Sequence, residues 1–562
     1  MGPVAHTDEV PHATVDAAPE EKAGVWYLQP RLALGFAFAQ GALAFVLEVV
    51  WFHLIGTVIG VTTYAFALML FAILLGIGLG SLLLPVIARK TRLSSASLFV
   101  CAMLLAAFGV AISLNAWDEF SIVIDKTYAL KETGNFFPRE GVRLAFCLAL
   151  LLPTTLALGM SLPALAAGTR ERDGRHGAWV GRLFAANTLG TIVGSIVCGF
   201  FLLGRFGSER ILTFGAVLAL VLALGAFYSG MKSESTLTPS RRERIGVAIA
   251  AIVCLVPIVS FRGWDMYQLT LGSHYYWEPP ETTRDSEIDW IREDAQSGFI
   301  TVMKAKSNGK LTMRTNGKYE GNSEPGEFQD LFALLGGLYV KHYDRAVLVG
   351  MGPARTLAVL HAMPFKKIEA IEYSPAIIEA AKTQFPEFSK AAFDDTGRVN
   401  VVCDDGRNRI QLTREPSDYI AIAISGAAFA GAGNIYSGDF FRAVSSKLKD
   451  DGVFMLWIQV HHVFPRDVRS VVHTLRTVFP HVHMYTDPWS SQGFLLASKN
   501  DLVIDPDLVK SLGDNPLVRK VLGHHGMDSP LALVERSVYT TDAEFERYLA
   551  DLKTLLSAGQ RG

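Results

Sequence analysis

Ala346-Val-Leu-Val-Gly-Met-Gly-Pro-Ala-Arg-Thr356, followed one helix-length later by Ile368-Glu-Ala-Ile-Glu372, decides the fold of the C-terminal half. The run 346–349 is short, apolar and ends at glycine, which predicts a buried strand. Residues 355–363 carry a helical pattern, and 367–371 form a second apolar run that closes on an acid. Glycines at the first turn, Gly350 and Gly352, let the backbone come close to a ligand. A carboxylate ending the second strand, Glu372, is placed to accept both hydroxyls of a ribose. That acid falls 20 residues after Gly352.

The alternation continues outward. Candidate strands at 399–403, 419–424, 453–459, 482–486 and 493–498 alternate with candidate helices at 375–384, 406–413, 438–448 and 466–478. Near-continuous apolar strands separated by helices predict a mostly parallel sheet covered on both faces. The third strand ends Cys403-Asp-Asp-Gly-Arg407, so Asp404 and Asp405 sit where a carboxylate could meet the exocyclic amine of a base. Upstream, the alternation in 298–306 and 310–315 across Ser307-Asn-Gly309 predicts a β-hairpin within a polar lead-in.

The N-terminal half has a different composition. Residues 1–262 hold 20 basic and 16 acidic side chains, whereas 263–562 hold 32 and 38. The mean hydropathy of +0.28 therefore averages two unlike halves. Seven windows, 32–56, 62–88, 93–117, 144–169, 183–204, 211–231 and 245–261, contain one charged side chain between them, Glu48. A bilayer span needs about 20 apolar residues, and the last window, interrupted by Pro257, is the shortest. A wholly soluble enzyme, a disordered chain and a basic nucleic-acid binder are excluded. The polar tail before the first window shows no signal-peptide pattern.

Connections after the second, fourth and sixth windows carry eleven Lys and Arg, including Arg89, Arg170, Arg172, Arg175 and Arg241, against six after the first, third and fifth. The positive-inside rule then puts the N-terminus in the cytoplasm. Seven spans leave the C-terminal domain outside; six, with 245–261 lying at the interface, keep it inside. Gly76, Gly78, Gly80, Gly190, Gly194 and Gly199 are expected at close helix contacts. Glu48 is either a functional intramembrane acid or a structural one paired with Gln40, Asn187, Thr154 or Thr155, and His53 lies near the end of the same span. Five scattered cysteines support neither a disulfide framework nor a zinc site. The late histidine pairs, His461/His462 and His524/His525, and the separated His481 and His483, lack ligand spacing.

The glycine turn, the 367–386 segment, NVVCDDGRNRI and NIYSGDFFRAVSSKLKDDGVFMLWIQ together resemble the spermidine synthase (aminopropyltransferase) family. LLPTTLALGMSLPALAAG and GRLFAANTLGTIVGSIVCGFFLLG resemble its bacterial branch fused behind a multi-span region. The resemblance implies an α-helical polytopic membrane domain plus an α/β class I methyltransferase-like (Rossmann-type) domain with a small N-terminal β subdomain. The expected division is a polar tail at 1–31, membrane helices at 32–262, a β-rich lead-in at 263–343, the Rossmann-type domain at 344–500 and a helical extension at 501–562.

By that resemblance Gly350, Gly352 and Glu372 would hold the ribose and thioether end of decarboxylated S-adenosylmethionine or S-adenosylmethionine. Asp404 and Asp405 would hold its adenine, and Tyr436 would lie beside an attacking amine. The departures are specific. The family's aspartate after the glycine turn is Pro353 here, and the acidic end of its fourth strand is Ile424-Ser-Gly-Ala-Ala-Phe. Of the upstream acidic element only Glu327 is retained. An alkylammonium nucleophile has a pKa near 10.4 and must lose a proton before attack. Loss of the base should cost much of the roughly 10²–10⁴-fold that general-base catalysis supplies, with Glu327, Asp330 and Ser425 as substitutes. Three functions follow: alkyl or aminopropyl transfer to an amine or lipid-linked acceptor, a degenerate binding module of a membrane complex, or a transporter with a ligand-sensing domain. The expected partners are membrane lipid, a small-molecule amine, and a complex partner or second copy in a bacterial-type inner membrane, with no nucleic acid and no metal.

Overall fold

The computed structural model describes residues 28–126, 136–169, 176–232, 238–272, 285–424, 426, 432–460, 464–486, 492–534, 538–539, 543–547 and 550. Most of the polar tail, Arg170, Arg172, Arg175, Ser425, His461 and His462 lie outside them.

The N-terminal half is a bundle of long helices: α1 (Pro30–Ile59), α2 (Thr63–Thr91), α3 (Ser95–Leu114), α4 (Phe136–Ala167), α5 (His176–Val197), α6 (Leu203–Met231) and α7 (Arg241–Ser260). Their starts are those that orphan N–H groups demand. Thr62 caps α2, Ser94 caps α3, and Ser240 forms a capping box with Glu243 on α7. Among the described residues, six helices are by length and composition able to cross a membrane, one of them the 55-residue stretch Gly177–Met231. That stretch is broken at Gly207, whose φ of 77° and ψ of 163° are not helical.

The contacts show that the chain turns back there. Gly190 meets Phe38, Gly194 meets Ala42 and Cys198 meets Val46, so α5 runs parallel to α1. Gly215 meets Leu43 and Leu47 while Gly225 meets Phe36, so α6 runs antiparallel to α1. α7 then follows α3 in the same direction, with Ser97 bonded to Glu243 at one end and Asn115 to the Pro257 carbonyl at the other. The 245–261 window is thus packed along α3. The small residues divide: Gly76, Gly80, Gly190 and Gly194 touch neighbouring helices, whereas Gly78 and Gly199 have open space where a side chain would stand. Of the partners weighed for Glu48, Thr155 donates to the Leu151 carbonyl and Thr154 Oγ1 is buried without a hydrogen bond.

The C-terminal half opens with a four-stranded antiparallel sheet, β1 (Ser286–Asp294), β2 (Gly298–Ala305), β3 (Leu311–Thr315) and β4 (Lys318–Asn322). The hairpin read from the sequence is β2–β3, and β1 and β4 flank it. After α8 (Phe328–Gly337) come β5 (Arg345–Val349), α9 (Arg355–Ala362), β6 (Lys367–Glu372), α10 (Pro375–Gln384), β7 (Val399–Cys403), α11 (Gly406–Leu412), β8 (Ser417–Ile422), α12 (Gly438–Lys447), β9 (Leu448–Gln459), α13 (Pro465–Arg476), β10 (His481–Thr486) and β11 (Gln492–Ser498). Short helices at Pro506–Asp514, Pro516–His524 and Pro530–Val534 follow, and a last strand, β12 (Val538–Tyr539), pairs with β10.

The strand order is β12-β10-β11-β9-β8-β5-β6-β7. β7, β6, β5, β8 and β9 are mutually parallel and β11 is antiparallel to β9. This is the methyltransferase-like, Rossmann-type arrangement, with its order reversing between β5 and β8, where ligands of open α/β sheets bind. Separate apolar clusters cover the two faces of the sheet.

The two halves share a core. Phe299, Trp264 and Leu269 belong to the same buried cluster as the long helices. Trp264 donates its indole N–H to the Leu114 carbonyl at 2.7 Å, and Thr57 on α1 donates to Asn316 at 3.1 Å.

Candidate functional site

Register places the chemistry on one edge. Val349 pairs with Ile371 and Ile422, and Glu372 pairs with Cys403, so the parallel strands end level with one another. The turn after β5 takes up positive φ at Gly350 (83°) and Gly352 (50°), which glycine adopts without steric cost. It is stapled to β6 by Gly350 N–H on the Ile371 carbonyl and Met351 N–H on Glu372 Oε2, both at 2.9 Å. Glu372 Oε1 takes the Ser374 N–H at 3.1 Å, and the Glu372 carbonyl takes Asp404 N–H at the same distance. The sequence-predicted Gly350, Gly352, Glu372 and Asp404 are therefore one cluster.

Glu372 is 7 % exposed. Burial pushes its carboxyl above the ordinary range, and the N–H groups of Met351 and Ser374 oppose that rise. Each carboxylate oxygen has a second lone pair beyond the main-chain bond it makes. Tyr373 leaves its ring 47 % exposed beside it, with Asp294 and Asp405 close enough to raise the phenol's pKa after burial. No local pattern marked Tyr373; its place on the edge follows from its position after the strand-ending acid.

Asp405 caps α11 with Oδ1 on Asn408 N–H at 2.8 Å, and Asp404 Oδ1 accepts the Asp405 N–H at 2.8 Å. Both acids thus hold the turn while one oxygen of each stays outside those bonds. Tyr436 is placed differently from a residue that meets an amine. Its ring is buried and its hydroxyl faces the carbonyls of Ile424 (2.6 Å) and Trp457 (2.9 Å). Burial raises that phenol's pKa further. Glu327 lies at the start of α8, where it accepts the Tyr319 hydroxyl at 2.6 Å.

Asp330 is committed elsewhere. Both of its oxygens meet the Arg355 guanidinium, which also donates to the Asn322 and Glu324 carbonyls and lies 4.4 Å over the Phe388 ring. This clamp seats the β4–α8 connection on the glycine turn. A side chain on Gly321 would lie 2.6 Å from Pro353 Cγ, and one on Gly352 would lie 3.1 Å from the Glu320 carbonyl oxygen. At the opposite edge of the sheet, a groove of about 460 Å³ holds Arg345, Lys367, Arg409, Glu369 and Glu415. Arg345 and Arg409 both bind Glu369, so the groove is a structural ion-pair network away from the strand-end cluster. No group of three or more His, Cys, Asp or Glu arranged to hold a metal occurs among the described residues.

The model for the spermine/spermidine synthase domain matches residues 329–490. That segment of the chain is similar to the spermine/spermidine synthase domain. Polyamine aminopropyltransferase 2 of Aquifex aeolicus is 28 % identical over 119 residues, which cover 21 % of this chain and 24 % of that one. Polyamine aminopropyltransferase of Caldicellulosiruptor saccharolyticus is 26 % identical over 189 residues, 32 % of this chain and 67 % of that one. The chain thus spans about a quarter of the first relative and two thirds of the second. The crystal structure of spermidine synthase from Thermotoga maritima aligns at 19 % identity and a TM-score of 0.36, over 40 % of this chain and 77 % of that one.

Proposed function

We propose that the C-terminal domain binds an S-adenosyl-type nucleoside, S-adenosylmethionine or its decarboxylated form, at the carboxyl edge of β5, β6 and β7 within a membrane-embedded protein. One observation carries this: Glu372 closes the second parallel strand with its carboxylate held by the glycine turn. A ribose diol would donate to the lone pairs left on Glu372, an adenine would lie against Tyr373, and its exocyclic amine would meet Asp404 or Asp405. The bound group would supply a sulfonium-activated carbon.

Transfer of that carbon needs an acceptor base, and here the placement argues for binding without efficient aminopropyl transfer. Tyr436 is turned to main-chain carbonyls, Asp330 is neutralised by Arg355, and the 424–433 segment contains no carboxylate. Glu327, which accepts the Tyr319 hydroxyl, is the remaining candidate. Aminopropyl transfer to an amine is the second reading, favoured by the named activity of the relatives. Incubation with decarboxylated S-adenosylmethionine and putrescine separates the two: methylthioadenosine release above background supports transfer.

The seven apolar segments alternate in direction, so an N-terminus in the cytoplasm puts the C-terminal domain on the other side of the membrane. S-adenosyl nucleosides are made inside cells, which further favours a binding or complex-forming role over turnover. A reporter fused after Gly562 should signal the non-cytoplasmic side, and a cytoplasmic signal overturns that orientation. For the site itself, calorimetry of the full chain in detergent with 5′-methylthioadenosine should show binding that Glu372→Ala abolishes. Absence of binding at millimolar ligand overturns the nucleoside reading.

A further inference from the structure

Glu293 and Asp294 are neighbours at the end of β1, and successive side chains of a strand leave on opposite faces. Glu293 faces the membrane half. Its Oε1 lies 3.0 Å from His53 Nε2 on α1, and its carboxylate accepts the Ser208 N–H at 2.9 Å and the Ser208 hydroxyl. Ser208 follows the Gly207 break, so Glu293 caps the start of the returning helix where N–H groups are otherwise unpaired. A side chain on Gly207 would lie 2.6 Å from Glu293 Oε2, which fixes how closely the two halves meet.

Asp294 faces the other way. It is 7 % exposed and accepts the hydroxyl of Ser374, which is fully buried. Ser374 caps α10 and donates its N–H to Glu372, whose other oxygen holds the glycine turn. Arg292 adds an ion pair to Glu379 on the same α10. An unbroken row therefore runs from His53 and Ser208, through Glu293, Asp294 and Ser374, to Glu372 and Met351. Each link is a hydrogen bond, a close polar contact or adjacency in one strand.

We infer that this row couples the nucleoside site to the membrane helices, with Glu293 and Asp294 as positioning residues. The inference rests on reading Glu372 as the ribose-binding acid. Ligand on Glu372 fixes Ser374, which fixes the end of β1 and so the helix start at Ser208. By linkage, a change at the Gly207 break alters nucleoside affinity by the same factor that the nucleoside alters the break.

The experiment uses the full chain in detergent, with 5′-methylthioadenosine as ligand, calorimetry for affinity and backbone hydrogen exchange around Ser208. Asp294→Ala should weaken binding roughly three- to thirtyfold, the range of couplings carried by such networks. Asp294→Asn, which keeps an acceptor for Ser374, should recover most of it. Glu293→Ala removes contacts to the membrane half alone, yet should weaken binding by a similar factor. Ligand should slow exchange at Ser208 in the wild type and not in Asp294→Ala. If Glu293→Ala does not fold, Ser208→Ala, which removes one hydroxyl, carries the same test. Unchanged affinity in Glu293→Ala or Ser208→Ala, with ligand-independent exchange at Ser208, overturns the coupling; Glu372→Ala would then still abolish binding and the site would stand. A wild-type chain that binds no methylthioadenosine overturns both.

Discussion

Arg355→Ala is the most informative single perturbation of the fold around the site. Arg355 and Asp330 are 3 % and 5 % exposed, so truncation leaves a buried carboxylate without its counter-charge. Breaking a buried pair in this way costs about 3–5 kcal/mol. The variant also loses donors to the Asn322 and Glu324 carbonyls and the contact over Phe388. At about 2–4 °C per kcal/mol for a domain of 150–250 residues, the C-terminal domain should unfold roughly 6–20 °C lower. Tryptophan-monitored thermal unfolding of the full chain in detergent reads this directly. The controlling variant is the double replacement Arg355→Met with Asp330→Leu. Replacing a buried pair by apolar groups of similar volume is often neutral or stabilising, so the double variant should recover most of the loss. Nucleoside affinity should fall in Arg355→Ala, because the β4–α8 connection no longer seats on Pro353 and Gly352. A shift below about 2 °C, or a double variant no better than the single, would falsify the account of Arg355 as the clamp.

Nucleoside binding should weaken as pH falls, with a midpoint above 4.5, because burial raises the Glu372 carboxyl and only its ionised form accepts two hydroxyl donors. The folded state also holds that proton more tightly than the unfolded state, so this group's contribution to stability declines as pH rises from about 4.5 through its folded pKa. Affinity that stays flat down to pH 4.5 in calorimetry refutes this; Glu372→Gln should be flat. Tyr436→Phe should lower stability by about 1–3 kcal/mol through loss of a buried hydrogen bond and leave methylthioadenosine affinity within about twofold; a large affinity loss at unchanged stability returns the phenol to the ligand. Gly190→Val puts methyl groups where the Phe38 carbonyl sits. Overpacking of about 1–3 kcal/mol should reduce bundle stability, measured by thermal aggregation in detergent, whereas Gly199→Val, facing open space, should leave it unchanged.

The glycine turn and strand-ending acid were legible because both are local: the glycine–acid spacing and two apolar runs suffice to bring Gly350 and Glu372 together. The capping role of Asp405 was also readable in principle, since an aspartate directly before a helical run is a capping signal. What escaped was decided by partners far along the chain. β1 is rich in charged residues over Ser286–Asp294; Glu287 and Asp289 stay exposed, whereas Arg292, Glu293 and Asp294 meet α10, α1, α6 and Ser374. A short-range pattern carries no trace of that. The structural pairing weighed for Glu48 is absent for the same reason, because the rotation of α1 follows from α5 packing at Phe38, Gly41 and Ala42 and α6 packing at Leu43 and Leu47. The orientation of Tyr436 likewise depends on Trp457 of β9, a neighbour through the sheet.

The departures from the family pattern acquire a physical sense once the two halves are seen together. An aminopropyltransferase needs acidic groups at the fourth strand to bind and deprotonate a cation. This chain has apolar and small residues there, Ile424 and then Ser-Gly-Ala-Ala-Phe, and has instead invested its buried acids elsewhere. Asp330 closes the glycine turn through Arg355, and Asp294 and Glu293 join Ser374 to Ser208. On the proposed reading those groups brace the nucleoside site and join it to the bundle, and their bonds leave them engaged away from an incoming amine. If turnover were the main purpose, the connection to the long helices would constrain the very edge that must open to admit acceptor and release product. A site whose output is a change in the helices has the opposite requirement: tight mechanical connection and slow release. The placement of the acids is what the proposed coupling requires of them, more than what turnover would.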